Sequence, residues 1–456
     1  MIKFLQSKWF NDYGAVLVLA LLFGYFSWAT WGVIHPVSEG AAEEVAETIV
    51  EQKPGASVLI VVRDNDEEIN FADTLKTELT ESGGQVLDIL VYKLPSDISR
   101  KLRVLGDNNQ TLHYVAATHE AASNNVLRPP DGAVKDHYLN GLARKHPCLA
   151  GAAVLVPDSY QWTQFLTRKN VFNVINHISY TAIIAIGMTL VIITAGIDLS
   201  VGSLMALAAV VVAWLIQNWA GAEQAGPLLT FFCACGAIGL CAAFGVFSGV
   251  MVTAFRIPAF IVTLGVMMVA RGWSHIVSGI NPIKVEAPGF DWLGAQTSLG
   301  VPNPVILMAV LFLLAHFVMS RTAFGRYVYA VGGNPEAARL SGVPVRGVLI
   351  TVYALCGALA GLAGVINASL FTSGNPKFGE GEELQVIAAV VVGGTSLAGG
   401  EGKILGTLIG ALIIAVIWSG MTQTGVGEHG QKVVFGLLIV AAVLLDMLKK
   451  RGARIA

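Results

Sequence analysis

A carboxylate stands where two apolar segments meet, in Ile192-Ile193-Thr194-Ala195-Gly196-Ile197-Asp198-Leu199-Ser200-Val201-Gly202-Ser203. An acid at the centre of a membrane span costs about 2.5–3.5 kcal/mol on insertion scales, so its presence asks for a reason. Two compatible readings are open. Gly196 can end one helix while Asp198 or Ser200 caps the next. Alternatively the segment is a broken helix whose Asp198, Ser200 and Ser203 line a solute path. A second stretch, Val390-Val391-Val392-Gly393-Gly394-Thr395-Ser396-Leu397-Ala398-Gly399-Gly400, has the same build: an apolar run, glycines, hydroxyls, then another apolar run. Setting Gly196-Ile197-Asp198-Leu199-Ser200 beside Gly394-Thr395-Ser396-Leu397-Ala398 suggests a diverged internal repeat of the sort transporters use.

Bond-making chemistry finds no support. Gly399-Gly400-Glu401-Gly402-Lys403-Ile404 superficially resembles a phosphate loop, but Ile404 has no hydroxyl for Mg²⁺ and the glycine spacing is wrong. There is no H-E-x-x-H, no paired Cys-x-x-Cys and no G-x-S-x-G. No catalytic residue, metal ligand or cofactor site is therefore assigned, and ATP-driven transport would need its ATPase on another chain. Cys148 is alone in the polar part of the chain, while Cys233, Cys235, Cys241 and Cys356 sit in apolar segments and read as packing residues.

The loop 321–346 carries the most complete local signal. Asn334-Pro335-Glu336-Ala337-Ala338-Arg339-Leu340-Ser341-Gly342 reads as a whole short helix: Asn334 to cap it, Pro335 at the first position, Glu336 at the positive end and Gly342 to stop it. It falls well short of the roughly 12–15 residues an isolated helix needs, so it must dock. Its own spans and a groove on a partner are both open as the docking site.

The elements that position these residues are membrane spans. Of 456 residues 54% are hydrophobic and 13% charged, with a mean hydropathy of +0.64. Glycine supplies 50 of the 456, roughly 11% where about 7% is usual. Such a chain is a polytopic membrane protein. After an uncleaved N-terminal anchor (14–34), apolar segments recur near 172–194, 200–218, 227–254, 258–279, 303–320, 347–370, 383–398, 404–421 and 432–448, about ten spans in all. With the N-terminus inside, twelve Lys and Arg fall on the inner side, among them Lys3, Lys8, Arg256, Arg321, Arg326, Arg339, Arg346 and Lys403. Among the short loops only Lys284, Lys377 and Lys432 fall outside. That bias predicts cytoplasmic termini, the second on a basic tail, 449–456. Small residues four apart, Gly245/Gly249, Gly357/Gly361 and Gly406/Gly410, predict close helix packing, within the chain or between copies. Glu380, Glu382 and Glu383 read as a solvated acidic loop or a docking patch, and His177, His316 and Arg271 as isolated residues without a function.

The charges are uneven: 32 of the 60 lie in 37–171, 19 acidic and 13 basic. Nucleic acid is not the partner of such a stretch. It opens with an acidic helix-like lead, Glu39 to Glu51. A strand–helix–strand pattern follows: Ser57–Val62, an amphipathic run from Ile69 to Ser82 stopped by Gly83-Gly84, then Val86–Val91. This is a βαβ unit of a small α/β domain, placed outside the membrane by the topology. The turn Arg63-Asp64-Asn65-Asp66 lacks the glycines of a dinucleotide site. The middle, 108–136, is weakly patterned and left unassigned. The expected fold is thus an all-α polytopic membrane protein of about ten helices with an inserted small α/β extracytoplasmic domain. It divides into tail and first helix (1–36), soluble domain (37–171), a transmembrane core of about nine helices (172–448) and basic tail (449–456).

Three of these segments together resemble a known family. Ala195–Ser203 resembles the GGIDLSVGS signature of sugar ABC-importer permeases of the ribose/xylose/galactose type. Gly332-Gly333-Asn334 through Gly342 is similar to that family's cytoplasmic coupling segment, and Ala389 through Gly400 to its third hallmark. The resemblance covers about 171–450. Two departures stand out: Ala195 replaces the family's first glycine, and the family joins its first two spans by a short loop where this chain carries 37–171.

The resemblance implies a bacterial inner-membrane permease of ten spans that pairs with a second copy. It also implies a cytoplasmic ABC ATPase that binds ATP and Mg and grips Asn334 to Gly342, and an extracytoplasmic sugar-binding protein that delivers a monosaccharide. Transport would proceed by alternating access along a path of hydroxyls rather than charges, with Ser200, Ser203, Thr395 and Ser396 as candidates. Alternatives are an ABC permease for a nucleoside or sugar-like signal, an ion-coupled secondary carrier, and a membrane sensor working through 37–171. The carrier predicts buried acids paired with cations inside spans, and apart from Asp198 and Arg271 these are lacking.

Overall fold

The structure, a computed structural model, describes residues 8–127 and 138–455; Lys3 and the later part of the unassigned 108–136 stretch lie outside them. The chain forms two compact units, Trp31–Thr163 and, separately, Met1–Thr30 with Gln164–Ala456. The sequence had placed these boundaries at 36/37 and 171/172. Helix α1 (Lys8–Ala29) ends as Thr30 donates its hydroxyl to the Phe26 carbonyl at 2.7 Å. The next four residues, expected to finish the anchor, form strand β1 (Trp31–Ile34), antiparallel to β6 (Tyr160–Thr163). An aromatic and β-branched run with alternating exposure suits a two-stranded ribbon better than a helix end. At the other boundary Phe165 is buried with Phe26 and Val416, which places the start of 164–171 in the membrane unit.

In the polar unit, helices α2 (Glu39–Gln52), α3 (Asp66–Glu81) and α4 (Pro95–Asp107) pack on a sheet of β2 (Ser57–Arg63), β3 (Gln85–Tyr92), β4 (Tyr114–Ala117) and β5 (Ala153–Leu155). All four strands are parallel, in the order β3-β2-β4-β5. Strand β2 is buried from Ser57 to Val62, as a central parallel strand covered on both faces must be. Val58, Ile60 and Val62 face a core with Ile49 of α2 and Phe71 and Leu75 of α3, while Leu59 and Val61 face Ile98 and Leu102 of α4. Asn65 caps α3: its Oδ1 accepts from Glu68 N at 2.9 Å while its amide donates to the Glu68 carboxylate at 3.0 Å.

The membrane unit continues with α5 (Arg168–Ile193), α6 (Val201–Asn218), α7 (Pro227–Ala254), α8 (Ala259–Ser278), α9 (Asn303–Arg321), α10 (Ala323–Gly333), α11 (Pro335–Leu340), α12 (Val345–Leu370), α13 (Glu382–Val392), α14 (Ile404–Gln423) and α15 (Glu428–Ile455). Among the described residues seven helices, α5 to α9, α12 and α14, are long and apolar enough to cross a membrane. The chain is a polytopic helical membrane protein. Helix α5 is buried along its last two thirds, against α9, α12, α13 and α14. The glycine pairs are spent within the chain. A Cβ on Gly249 would lie 2.7 Å from Ile350 Cα and one on Gly361 2.9 Å from Cys241 Cβ, so α7 and α12 touch nearly backbone to backbone; Gly406 and Gly410 do the same for α13 and α14. His177, given no function above, stacks on Trp418 with ring centres 4.0 Å apart.

One expected span is corrected. The apolar run 383–398 is not a membrane-crossing helix: α13 has 11 residues, about 16 Å, half the hydrocarbon thickness. Gly394, Gly399 and Gly400 all adopt positive φ and turn the chain away from the helix axis.

Candidate functional site

Two interruptions of the helical bundle lie at the sequence motifs. Helix α5 closes with Ala195 N donating to Ile192 O (2.9 Å) and Gly196 N to Val191 O (2.9 Å), with Ala195 at φ +61°. Helix α13 closes in the same way: Gly394 N donates to Val391 O (2.9 Å), Thr395 N to Val390 O (3.2 Å), and Gly394 has φ +91°. Both are Schellman closures. The structural equivalence therefore pairs Ala195 with Gly394, one residue off the register in which Gly196 was set beside Gly394.

Beyond the first closure, Asp198 and Ser200 are buried. Asp198 Oδ1 accepts from Ser200 N (2.9 Å) and Ser200 Oγ (2.6 Å). Neither side chain accepts from the first turn of α6 in the manner of an N-cap, so the capping reading is corrected: Asp198 closes a turn onto Ser200, and Ser200 begins the helix without a side-chain cap bond. Thr263 of α8 ties the segment down, donating to Ile197 O and accepting from Leu199 N, each at 3.2 Å.

The stretch between α12 and α13 is non-helical as well. Ser373 and Gly374 pair with Lys284 and Ile283, Gly374 packs on Ala209 and Ala213 of α6, and Gly379 meets Gly202 at the start of α6. This extended segment thus runs along α6, where its carbonyls need partners. Arg271 of α8 supplies them, donating to Pro376 O at 3.1 Å and Phe378 O at 2.9 Å. The residue set aside above as isolated satisfies this backbone. The acidic loop is corrected too: Glu380 is exposed, but Glu382 is buried and accepts from the Thr181 hydroxyl at 3.1 Å.

The loop 321–346 completes the site. Asn334 Oδ1 accepts from Glu336 N and Ala337 N at 3.0 Å each, and Gly342 at φ +83° ends the turn after α11. Ala338 is buried; Glu336, Arg339 and Leu340 are exposed, Leu340 at 78%. Arg339 bonds to Glu336 and draws its carboxyl below the ordinary value. Immediately before this helix Gly332 packs so closely on Ile193 O and the Gly400 backbone that no side chain fits. Gly400 N donates to Ile193 O at 2.8 Å, and Tyr329 donates its hydroxyl to Gly402 O at 2.8 Å. Three segments separated by more than 60 residues each in sequence therefore meet through backbone atoms: the end of α5, the end of α10 and the turn after α13.

Of the five path candidates, the structure ties Asp198 to Ser200 and turns Ser396 Oγ onto Ala398 N at 3.2 Å. Asp198 Oδ2, Ser203 Oγ and Thr395 Oγ1 are buried without a protein hydrogen-bond partner. Ser203 lies on α6 beyond Gly202, while Thr395 sits against Gly402 at the three-way junction. A groove of about 640 Å³ between α7 and α8, lined by Phe244, Phe247, Ile261 and Trp273, contains none of the five. Sequence reasoning missed Arg271, Tyr329 and Tyr353, whose hydroxyl blocks any side chain at Gly196. Only Arg271, a cation inside a span, carried a signal.

The family described as branched-chain amino acid transport system / permease component matches residues 170–443. The chain is 45% identical over 290 residues to the ribose import permease protein RbsC of Escherichia coli (strain K12), which covers 63% of this chain and 88% of that protein. Over 315 residues it is 42% identical to the ribose import permease protein RbsC of Bacillus subtilis (strain 168), 69% of this chain and 95% of that protein. Over 370 residues it is 33% identical to the xylose transport system permease protein XylH of Escherichia coli (strain K12), 66% and 92%. No solved structure matches the chain.

Proposed function

We propose a function from one premise: this chain belongs to the family described as branched-chain amino acid transport system / permease component. It is the membrane-spanning permease subunit of a sugar ABC importer, a transport subunit rather than an enzyme. Its cargo is a monosaccharide, pentose or hexose, as the ribose and xylose names of its relatives support. ATP and Mg²⁺ bind to a separate cytoplasmic ATPase, a second permease copy encloses the path, and an extracytoplasmic binding protein delivers the sugar. The seven long helices, α1, α15 and the extended segment 373–381 continued by α13 make ten crossings of the bacterial inner membrane, with both termini cytoplasmic and the polar unit outside.

One observation carries the mechanism. Helix α11 buries Ala338 and turns Glu336, Arg339 and Leu340 outward, while the residue two before its cap, Gly332, is wedged between the end of α5 at Ile193 and the turn after α13 at Gly400. A push delivered to α11 by the ATPase therefore reaches the end of α5 and the turn after α13 through close backbone contacts. The segments bearing Asp198, Ser200 and Ser203 on one side and Thr395 and Ser396 on the other shift together, opening the path to one face and then the other. The unpartnered hydroxyls of Ser203 and Thr395 suit a neutral, hydroxyl-rich cargo.

The test is purification of the tagged chain from its native membrane beside Glu336→Arg. Glu336 is exposed, so the fold is retained. The wild type is expected to bring a nucleotide-binding ATPase with it and the variant to lose it, together with at least about tenfold of sugar uptake. An ATPase held equally by both chains would remove α11 from the coupling.

A further inference from the structure

The polar unit holds a cleft that the transport reading does not use. Two cavities, about 680 and 790 Å³, share Glu120 and Ser123 and run along the carboxyl edge of the parallel sheet. The first is walled by the turns that follow β2, β3 and β4. In the order β3-β2-β4-β5 the chain moves to one side of β2 and then to the other, so β2 and β4 flank the point where the winding reverses. Open parallel sheets bind small molecules outside the carboxyl ends of their strands at this point.

The edge here is built rather than incidental. Glu68, buried, accepts from Arg63 N at 2.8 Å and from the Thr118 hydroxyl at 2.8 Å, so one carboxylate fixes the turns after β2 and β4. Above it, Arg63 of β2 pairs with Glu120 beyond β4, bridging the reversal. Arg63 Nε also lies 3.4 Å from the Tyr92 hydroxyl, and Lys93 Nζ pairs with Asp64 Oδ2 at 3.0 Å. On the far side His119 and His35 stack with ring centres 4.1 Å apart, and Ser159 Oγ bonds to both rings.

We infer that this cleft binds a small neutral polyhydroxyl molecule, a monosaccharide, at a site separate from the membrane path. The charges decide its class. Arg63 with Glu120 and Lys93 with Asp64 cancel in pairs, and the buried Glu68 carboxylate beneath them leaves no excess positive charge for an anion. The same four groups, with Asn125, present donors and acceptors side by side, which is what vicinal hydroxyls require. The volume holds one sugar ring with room for its water. The inference stands on the polar unit alone and does not need the transport reading.

The experiment is calorimetric titration of the full chain in lipid nanodiscs, without ATPase partners, against neutral pentoses and hexoses, with ribose 5-phosphate and glucosamine as charged comparisons. Saturable binding of at least one neutral sugar is expected, weakened tenfold or more by Arg63→Met and again by the exposed-rim pair Lys93→Ala with Asn125→Ala. The rim pair keeps the test open should Arg63→Met unfold the unit. Absence of saturable binding to the wild type overturns the inference. So does binding that the rim pair leaves unchanged, or a charged comparison that binds more tightly than every neutral sugar. Uptake by cells carrying the whole transporter is measured in parallel: lost uptake with retained, rim-sensitive binding counts against the transport reading and not against this site.

Discussion

Ala195 adopts φ +61° at a position where the equivalent residue of the second closure is glycine. An L-residue in the left-handed region pays roughly 1 kcal/mol that glycine does not. Ala195→Gly is therefore expected to stabilise the full chain by about 1 kcal/mol in a detergent melt; an unchanged or lower midpoint would show that the Ala195 methyl against Gly399 outweighs the strain. Gly332→Val acts the other way, because the nearest atoms are the Ile193 carbonyl and the Gly400 amide, 2.7 Å from the would-be Cβ, and backbone cannot swing aside. It is expected to cost more than about 3 kcal/mol and to abolish uptake. Arg271→Met should cost about 1–3 kcal/mol by leaving carbonyls of the 376–379 segment unpartnered, with little change if water replaces the guanidinium. Ala195 and Gly332 stand in motifs legible in the sequence. The task of Arg271 was not, because its partners are carbonyls over 100 positions away, and a carbonyl leaves no mark on residue identity.

Elements were legible where their signals are local. Asn334, Pro335 and Gly342 specify α11 within nine residues, and β2 announces itself through six consecutive apolar or small residues. Helix α13 was misread because hydropathy sums apolar content and takes no account of φ: the run 383–398 is apolar enough to cross, yet Gly394, with φ +91°, turns it out of line. Pairing between β2 and β4 was equally hidden, since β4 is four residues long in a stretch without periodicity. That pairing carries a pH dependence. His113, just before β4, accepts from Ser57 N through Nδ1 at 2.9 Å, so its neutral form holds the start of β2. Burial first and Lys53 second push its pKa below the ordinary 6.5. The unfolded chain then binds this proton more readily than the folded one. The stability it supports is full above about pH 6.5 and is lost as pH falls through the lowered value. Amides of β2 and β4 should exchange faster at about pH 5.5 than at about pH 7.5 after correction for intrinsic rates, and His113→Gln, which keeps an acceptor, should flatten the difference. Equal protection at both values would remove His113 from the strand's stability.

At the scale of the whole molecule, the family match begins at residue 170 and every transport motif lies beyond it. Replacing residues 36–158 with a short Gly-Ser turn is therefore expected to leave uptake at saturating sugar within about threefold of the wild type. Loss of uptake by a chain that still reaches the membrane would make the polar unit part of the transport cycle. The membrane unit holds its own ends together, as Gln164 N donates to Thr30 O and Phe165 N to Thr30 Oγ1, both at 3.1 Å. Strands β1 and β6 continue that closure for four further residues on each side. A chain gripped in this way has the geometry of a socket. The entropic penalty for closing a loop rises by only about 0.6 kcal/mol with each doubling of its length, so the helices are nearly indifferent to how much protein is plugged in between Ile34 and Tyr160. A domain whose ends lie side by side, a fluorescent reporter included, is therefore expected to ride at this position with the bundle still folded.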